Sequence, residues 1–160
     1  MKKILTHLTG IVFLLAILVA GSCQDGKTTN DPTNPENETT KVIKVQEILI
    51  DGRMHLEMWN EENPKCVVID ALTTYVNRGN TVRWEKADGA KLQSILQIRP
   101  VKEGGTIIPK GVRAEDEGMT SISFKVPAGA KPGIEKYEII FMDEAGGIWI
   151  IDPYLKLPPP

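Results

Sequence analysis

From Val42 onward, short apolar runs rich in valine, isoleucine and aromatic residues are separated by glycine, proline, asparagine and aspartate. The turn residues recur at intervals of roughly 8 to 12 residues, which is typical of an all-β sandwich or barrel. No part of this region keeps a capped helical period over about 12 residues. The pattern predicts these strands: Val42–Ile50, Met54–Trp59, Cys66–Val76, Thr81–Lys86, Leu92–Val101, Thr120–Val126, Glu135–Met142 and Ile148–Leu157.

Within several of these runs, apolar and polar residues alternate one by one. Ile122, Phe124 and Val126 would share one face of a strand, because successive side chains of a strand point to opposite faces. The run Tyr137–Phe141 follows the same rule, and so does the run around Trp84, which we expect in the core. One apolar and one polar face per strand is typical of antiparallel sheets. We therefore expect an antiparallel Greek-key β-sandwich.

Two glycine-containing segments are predicted to be hairpin turns. Asn77–Asn80 lies between two predicted strands, and Gly79 can adopt a positive φ there at little cost. Asp143–Gly147 connects the last two predicted strands in the same way. The domain should therefore end in a hairpin.

Residues 1–22 have the three parts of a secretory signal peptide. Lys2 and Lys3 give a positive start, Ile11–Ala20 is an unbroken apolar run, and small residues precede Cys23. The apolar stretch is shorter than the roughly 20 residues that a membrane-spanning helix needs. We expect this segment to be removed during export.

The segment Leu18–Cys23 resembles a bacterial lipobox, although Ala20 stands where that motif prefers leucine. The resemblance implies that the Cys23 sulfur receives a diacylglyceryl group and that its freed amine is acylated. One acyl chain anchors a protein only marginally, whereas two or three hold it at the membrane. We expect a lipid-anchored protein of the bacterial cell envelope, at the outer membrane, with the periplasmic and surface faces both open.

After Cys23, the chain has no apolar residue until Val42. Such a segment cannot bury enough surface to offset the entropy of ordering, so it is predicted to be a tether. A flexible chain of this length has an end-to-end distance of roughly 20 to 25 Å. The expected organisation is a signal peptide at 1–22, lipidated Cys23 and tether at 23–41, and a β-sandwich at 42–160.

The part of the chain after residue 22 has a single-domain length. Without Lys2 and Lys3, the formal charge of −2 becomes −4. The remaining lysines are scattered and form no basic stripe of the kind that follows phosphates. The composition therefore argues against a nucleic-acid partner.

The segment Val76–Trp84 resembles the hairpin of cupredoxin-like, or plastocyanin-like, sandwiches, where Gly-Asp-Thr-Val-x-Trp opens a central strand. The later order is also similar, with Phe124–Pro127 entering a turn, Gly133–Tyr137 in a strand and Gly147–Leu157 as the closing strand. This resemblance implies a cupredoxin-like topology. An immunoglobulin-like sandwich stays open as the alternative.

The copper ligands of that family are not reproduced. A blue-copper site uses two histidines, a thiolate and a weak axial ligand, and the family places most of them in the loop before the last strand. Here that loop, Asp143–Gly147, has neither cysteine nor histidine, and His55 is the only histidine after residue 22. We expect no metal and no cofactor. Cys66, which precedes an apolar run, is expected to be a buried free thiol, and a metal or redox role is the alternative.

Candidate catalytic groups are few. The acidic runs Glu61–Glu62 and Glu115–Glu117 lie in polar stretches without apolar neighbours that would raise a carboxyl pKa, so we expect solvated loop charges. The chain contains none of the common nucleophile, phosphate-loop or zinc-hydrolase motifs. The sequence favours a protein that is not an enzyme.

Trp59 and Trp149 are the candidate ligand-binding residues. Trp59 lies at the end of its predicted strand, and Trp149 points to the opposite face of its strand from Ile148 and Ile150. At least one of the two rings is therefore a candidate for exposure, and exposed aromatic rings often contact sugars or other proteins. We expect a membrane-anchored, non-catalytic binding or structural module for a protein or glycan partner. The alternatives are a cupredoxin-derived metal or redox protein and a glycan-binding surface lipoprotein.

Overall fold

The computed structural model describes residues 39–108, 110–114 and 118–159, without the side chains of residues 63, 65 and 66. The described residues form strands and turns, and no helix among them is long and apolar enough to cross a membrane. The strands are β1 (Thr40–Ile50), β2 (Arg53–Asn60), β3 (Asn63–Ile69), β4 (Thr73–Tyr75), β5 (Thr81–Lys86), β6 (Ser94–Pro100), β7 (Val112–Arg113), β8 (Ser121–Lys125), β9 (Gly133–Met142), β10 (Ile148–Ile151) and β11 (Tyr154–Leu157).

The strands form two sheets. The first sheet has the order β3-β2-β1-β5-β8, and the second has the order β4-β11-β9-β6-β7, with β10 paired to the other half of β9. The chain crosses between the sheets after β3, β4, β5, β7 and β8, so neighbours in sequence are often not neighbours in a sheet. The expected all-β sandwich is confirmed.

The core lies between the two sheets. Trp84 on β5 and Tyr137 and Phe141 on β9 are its largest fully buried side chains, and aliphatic residues of both inner faces surround them. The alternating residues of β5, β8 and β9 point inward as their pattern predicts. Alternation therefore identifies the buried face of these strands.

Two strand pairs are parallel rather than antiparallel. β1 runs parallel to β5, and β4 runs parallel to β11. The expectation of a wholly antiparallel arrangement does not hold at these two pairs, because alternation shows which face is wet and carries no information on the direction of a neighbour. Strand β1 also starts at Thr40, before the expected Val42, since Thr40 pairs with Thr81.

Two long predicted strands are each divided in the structure. The run Cys66–Val76 is interrupted after Ile69, where Asp70 adopts a φ of 53° and the chain leaves the first sheet for the second. The run Ile148–Leu157 is interrupted at Pro153, which has no N–H to donate to a ladder. These interruptions produce the short strands β4, β10 and β11.

Several sequence predictions lie outside the described residues. They are the signal peptide 1–22, the lipidation of Cys23, the tether up to residue 38, the acidic run Glu115–Glu117 and the environment of the Cys66 thiol. They stay predictions.

Candidate interaction surface

One side of the sandwich carries most of the large apolar side chains that face solvent. β3 is the edge of the first sheet, and β10 lies across from it, because β10 pairs with β9 and contacts β2, the neighbour of β3. Eight large hydrophobic residues of the described chain are exposed, and five of them belong to these two strands. We call these five the β3–β10 side: Val67, Ile69, Ile148, Trp149 and Ile150. Val67 and Ile69 face outward from the first sheet, because Val68 between them pairs with buried Met58, so the five residues surround one rim of the sandwich rather than one flat face.

The register of β10 against β9 decides where each of its side chains points. Trp149 pairs with Phe141, and Ile151 pairs with Ile139, so both face the core side of the second sheet. Ile148 and Ile150 point to the outer face and are 64% and 53% exposed. Their partners on β9, Met142 and Ile140, are half-buried on the same face. β10 therefore presents apolar side chains on its outer face, where polar residues are usual.

The indole of Trp149 is held in place by the turn that precedes β10. Its Nε1 donates a hydrogen bond to Asp143 Oδ2 at 2.7 Å, while the amides of Gly147 and Ala145 donate to Asp143 Oδ1 at 2.7 and 2.9 Å. Gly146 has a φ of 83°, which closes the turn. The bonds from Trp149 and from these amides lower the pKa of Asp143. Trp149 is 37% exposed, and its bond to Asp143 fixes the orientation of the ring.

Trp59 lies elsewhere on the molecule. It pairs with Lys44 of β1, so it faces the outer surface of the first sheet and is half-buried there. Lys44 forms an ion pair with Glu85 of β5, and Arg83 bonds the same carboxylate with its Nε at 2.9 Å. The Lys44 hydrogen bond is the main cause that lowers the pKa of Glu85. The two candidate tryptophans are therefore on different sheets, and the structure does not bring them together.

The edges of the two sheets differ in how they are protected against pairing with another chain. Natural edge strands are commonly short, charged, bulged or interrupted by proline. β4 has three residues and β7 has two, β8 ends in Lys125, and β3 contains Pro64 and Lys65. β10 is also short, with four residues, but it consists of Ile-Trp-Ile-Ile and contains no charged residue and no proline.

The candidate metal and acid groups are dispersed. His55 Nδ1 is bonded to Asp70, whose other carboxylate oxygen accepts the Leu56 amide at 2.8 Å. This pair supports the bend at which the chain changes sheets. Glu62 forms an ion pair with Lys41. Among the described residues, no group of three or more histidine, cysteine, aspartate or glutamate residues could hold a metal ion.

A shallow groove of about 450 Å³ lies at the other end of β9. Val101, Ile134 and the ring of Tyr154 provide its apolar wall, and Lys102 and Lys136 provide positive charge. Lys136 is paired with Asp152, which is the main cause that raises its pKa, and its Nζ lies 5.8 Å from the Tyr154 ring centre. The charge of this groove is therefore partly neutralised within the protein.

The sequence indicates Trp149 as a candidate but gives no sign of its exposed neighbours. Ile148 and Ile150 belong to an uninterrupted apolar run, which gives no alternation from which to tell an outer face from an inner one. Val67 and Ile69 lie in a similar run after Cys66. The segment Ile148–Ile151 contains no charged residue and no proline. This composition indicates an unprotected edge only once β10 is known to be an edge strand.

Comparison with known proteins adds no family. The chain matches no protein-family model, and a search of curated proteins finds no match.

Proposed function

We propose that this chain is a membrane-anchored envelope lipoprotein whose β-sandwich binds a partner protein through the β3–β10 side, without catalytic chemistry of its own. The observation that carries the proposal is the concentration of exposed apolar residues on that side. Large exposed apolar side chains that are concentrated on one side of a soluble domain commonly mark an interaction site. Tryptophan is also enriched among the residues that dominate binding energy.

The orientation of Trp149 supports this assignment. An indole already bonded to Asp143 has little rotamer freedom left to lose when a partner covers it. Ile148 and Ile150 point to the opposite, outer face of the same strand. A partner that covers the edge of β10 would therefore meet a partly ordered aromatic residue on one side of the strand and two aliphatic side chains on the other.

The proposed lipid anchor and tether would place the β-sandwich close to a membrane surface. Acylation of Cys23 would hold the chain at the membrane, and the polar residues after it would separate the domain from the headgroups by roughly 20 to 25 Å. The test of this part is metabolic labelling with palmitate. We expect label on the wild-type chain and none on Cys23→Ala, which should leave the membrane fraction. Equal labelling of both would contradict the anchor.

The binding surface can be tested by photo-crosslinking in cells that make the protein. A photoreactive phenylalanine analogue at position 150 or 67 should give a discrete adduct of higher mass. The matched control is position 123, because Ser123 is exposed on β8 at the opposite edge of the first sheet. Trp149→Ala should weaken the adducts at 150 and 67. Equal adducts from position 123, or none from 150 and 67, would contradict the proposed surface.

A second candidate function is glycan binding at Trp59. Its ring lies on a polar sheet face next to Lys44, and sugars combine stacking on an aromatic ring with hydrogen bonds to polar side chains. Titration with purified peptidoglycan fragments would test it. Binding that is lost in Trp59→Ala and kept in Trp149→Ala would support this candidate, and no binding by the wild-type protein would oppose it.

A further inference from the structure

We infer that the free edge of β10 accepts an extended segment of the partner as an added β-strand, with alternating apolar residues and a lysine or arginine at its end. This inference rests on the proposed function and specifies how the partner binds. It follows from the direction of the backbone groups, the limits of the edge, the side chains beside it and the charge of its surroundings.

The hydrogen-bond pattern of the last hairpin shows which backbone groups face outward. The amide of Asp143 donates to the carbonyl of Gly147 at 3.0 Å, and the amide of Tyr137 donates to the carbonyl of Pro153 at 3.0 Å. Because bonded residues alternate along an antiparallel ladder, Trp149 and Ile151 bond to β9. The N–H and C=O groups of Ile148 and Ile150 therefore point away from β9.

No strand of the described residues pairs with that outer edge of β10. The edge is limited at one end by the turn Asp143–Gly147. At the other end, the amide of Tyr154 donates to the carbonyl of Leu72, where the chain enters β4. The free length is thus Ile148–Ile151, enough for a short strand that bonds to the two outward-facing residues.

The side chains next to this edge set the pattern of the added strand. Every second residue of that strand would lie beside Ile148 and Ile150 on the outer face. Apolar residues at these positions would cover the two isoleucines. The alternate positions would face Trp149 and its bond to Asp143.

The charge around β10 favours a basic flank on the partner. The segment from Asp143 to Asp152 contains Asp143, Glu144 and Asp152 and no lysine or arginine. Asp152 is paired with Lys136, whereas Glu144 is exposed at the turn. A cation beside the turn would meet this negative charge, and an anionic lipid surface would be repelled by it.

Other occupants fit these observations less well. The chain between Cys23 and the first described residue has no aliphatic or aromatic side chain with which to cover Ile148 and Ile150. A second copy paired through β10 alone would bury four residues per chain, far below the roughly 1,200 Å² of a stable interface. A flexible segment of another protein needs only a short edge, because its main chain supplies part of the affinity.

The test uses the full-length lipidated protein in nanodiscs of zwitterionic lipid. The probe is a short synthetic peptide in which valine and threonine alternate between terminal lysines. We expect the peptide to bind and to slow hydrogen exchange of the Ile148 and Ile150 amides. Methylation of the peptide amides along one edge should weaken binding by about tenfold, as expected for the loss of one or two hydrogen bonds. Replacing the terminal lysines by glutamates should also weaken it.

Two variants separate the edge from apolar exposure in general. Ile150→Lys introduces an edge charge and should abolish binding, whereas Ile134→Lys should leave it unchanged, because Ile134 is 61% exposed at the other end of β9. Failure of the peptide to bind, or equal binding of the methylated peptide, would overturn strand addition. Neither result affects the crosslinks from positions 150 and 67, so the proposed function is tested separately.

Two further outcomes would assign the edge to another occupant. Sedimentation that shows a dimer of the wild-type protein and a monomer of Ile150→Lys would assign it to a second copy. Binding of Cys23→Ser to phosphatidylglycerol vesicles that Ile150→Asn removes would assign it to a membrane surface. Either result would overturn the inference.

Discussion

Trp84 on β5 donates a hydrogen bond from its Nε1 to the hydroxyl oxygen of Tyr137 on β9, at 2.9 Å, across the interior of the sandwich. Both residues are fully buried, and their rings meet edge to face with centroids 5.2 Å apart. The pair joins the first sheet to the second. It satisfies a polar group that each ring brings into the core.

Replacing Tyr137 by phenylalanine should destabilise the fold while keeping its packing. The change leaves the Trp84 Nε1–H buried without its acceptor, which costs about 1–3 kcal/mol. Chemical denaturation of the two proteins measures the difference. Tyr75→Phe is the control, because Tyr75 is only partly buried and its hydroxyl accepts a bond from Lys156 Nζ at 3.4 Å. An equal loss in both variants would contradict the special role of the buried pair.

The same pair predicts a loss of stability at alkaline pH. Burial raises the pKa of Tyr137, against a smaller lowering by the Trp84 bond, so the folded state favours the protonated hydroxyl. Below the ordinary tyrosine pKa of about 10 this contribution is fully present, and it falls as the pH rises toward the raised value of the folded state. Denaturation curves measured between about pH 9 and pH 12 should show a decline above the ordinary tyrosine pKa that Tyr137→Phe reduces. An unchanged decline in the variant would contradict this origin.

The bond between Trp149 and Asp143 predicts an acid transition at the turn before β10. The pKa of Asp143 is lowered from its ordinary value by the Trp149 indole and by backbone amides. Its stabilising effect is therefore present above the ordinary aspartate pKa of about 3.9 and is lost as the pH falls through the lowered value. The indole N–H resonance of Trp149 should shift with this titration. Asp143→Asn removes the titrating group, so a persisting shift in that variant would contradict the assignment.

Glu135 on β9 organises the loop between β6 and β7. Its carboxylate accepts hydrogen bonds from three consecutive amides, those of Thr106, Ile107 and Ile108, the last two at 2.9 Å. These bonds place two fully buried isoleucines in the core. Glu135→Gln would turn an amide nitrogen toward one of these donors.

We expect Glu135→Gln to lower the free energy of unfolding by about 2 kcal/mol, within the range for hydrogen bonds to a charged group. Denaturant titration provides the measurement. The control is Glu103→Gln, because Glu103 is exposed in the same loop and surface changes of this kind usually stay within about 0.5 kcal/mol. Similar values for both variants would show that Glu135 does not organise the loop.

The residues with the clearest structural roles in this domain differ in how far the sequence predicts those roles. The inward direction of Trp84 and Tyr137 follows from alternation, because a strand has a period of two and one face is buried. The bond between them does not follow, since it joins residues 53 positions apart on different sheets. The role of Glu135 does not follow from the sequence either, because an acidic residue in a strand does not indicate which distant loop its carboxylate will bind.

By itself, the sequence determined the local properties of this chain: which segments are extended, which side chains of β5, β8 and β9 face inward, and where glycine permits the last hairpin to turn. These properties depend on neighbours within a few positions. The tertiary structure alone decided that β1 and β4 have parallel partners and that the run after Gly147 stops at Pro153, which leaves Ile148–Ile151 as an edge. An apolar run looks the same whether it is central or at an edge, because its exposure depends on which distant strand pairs beside it.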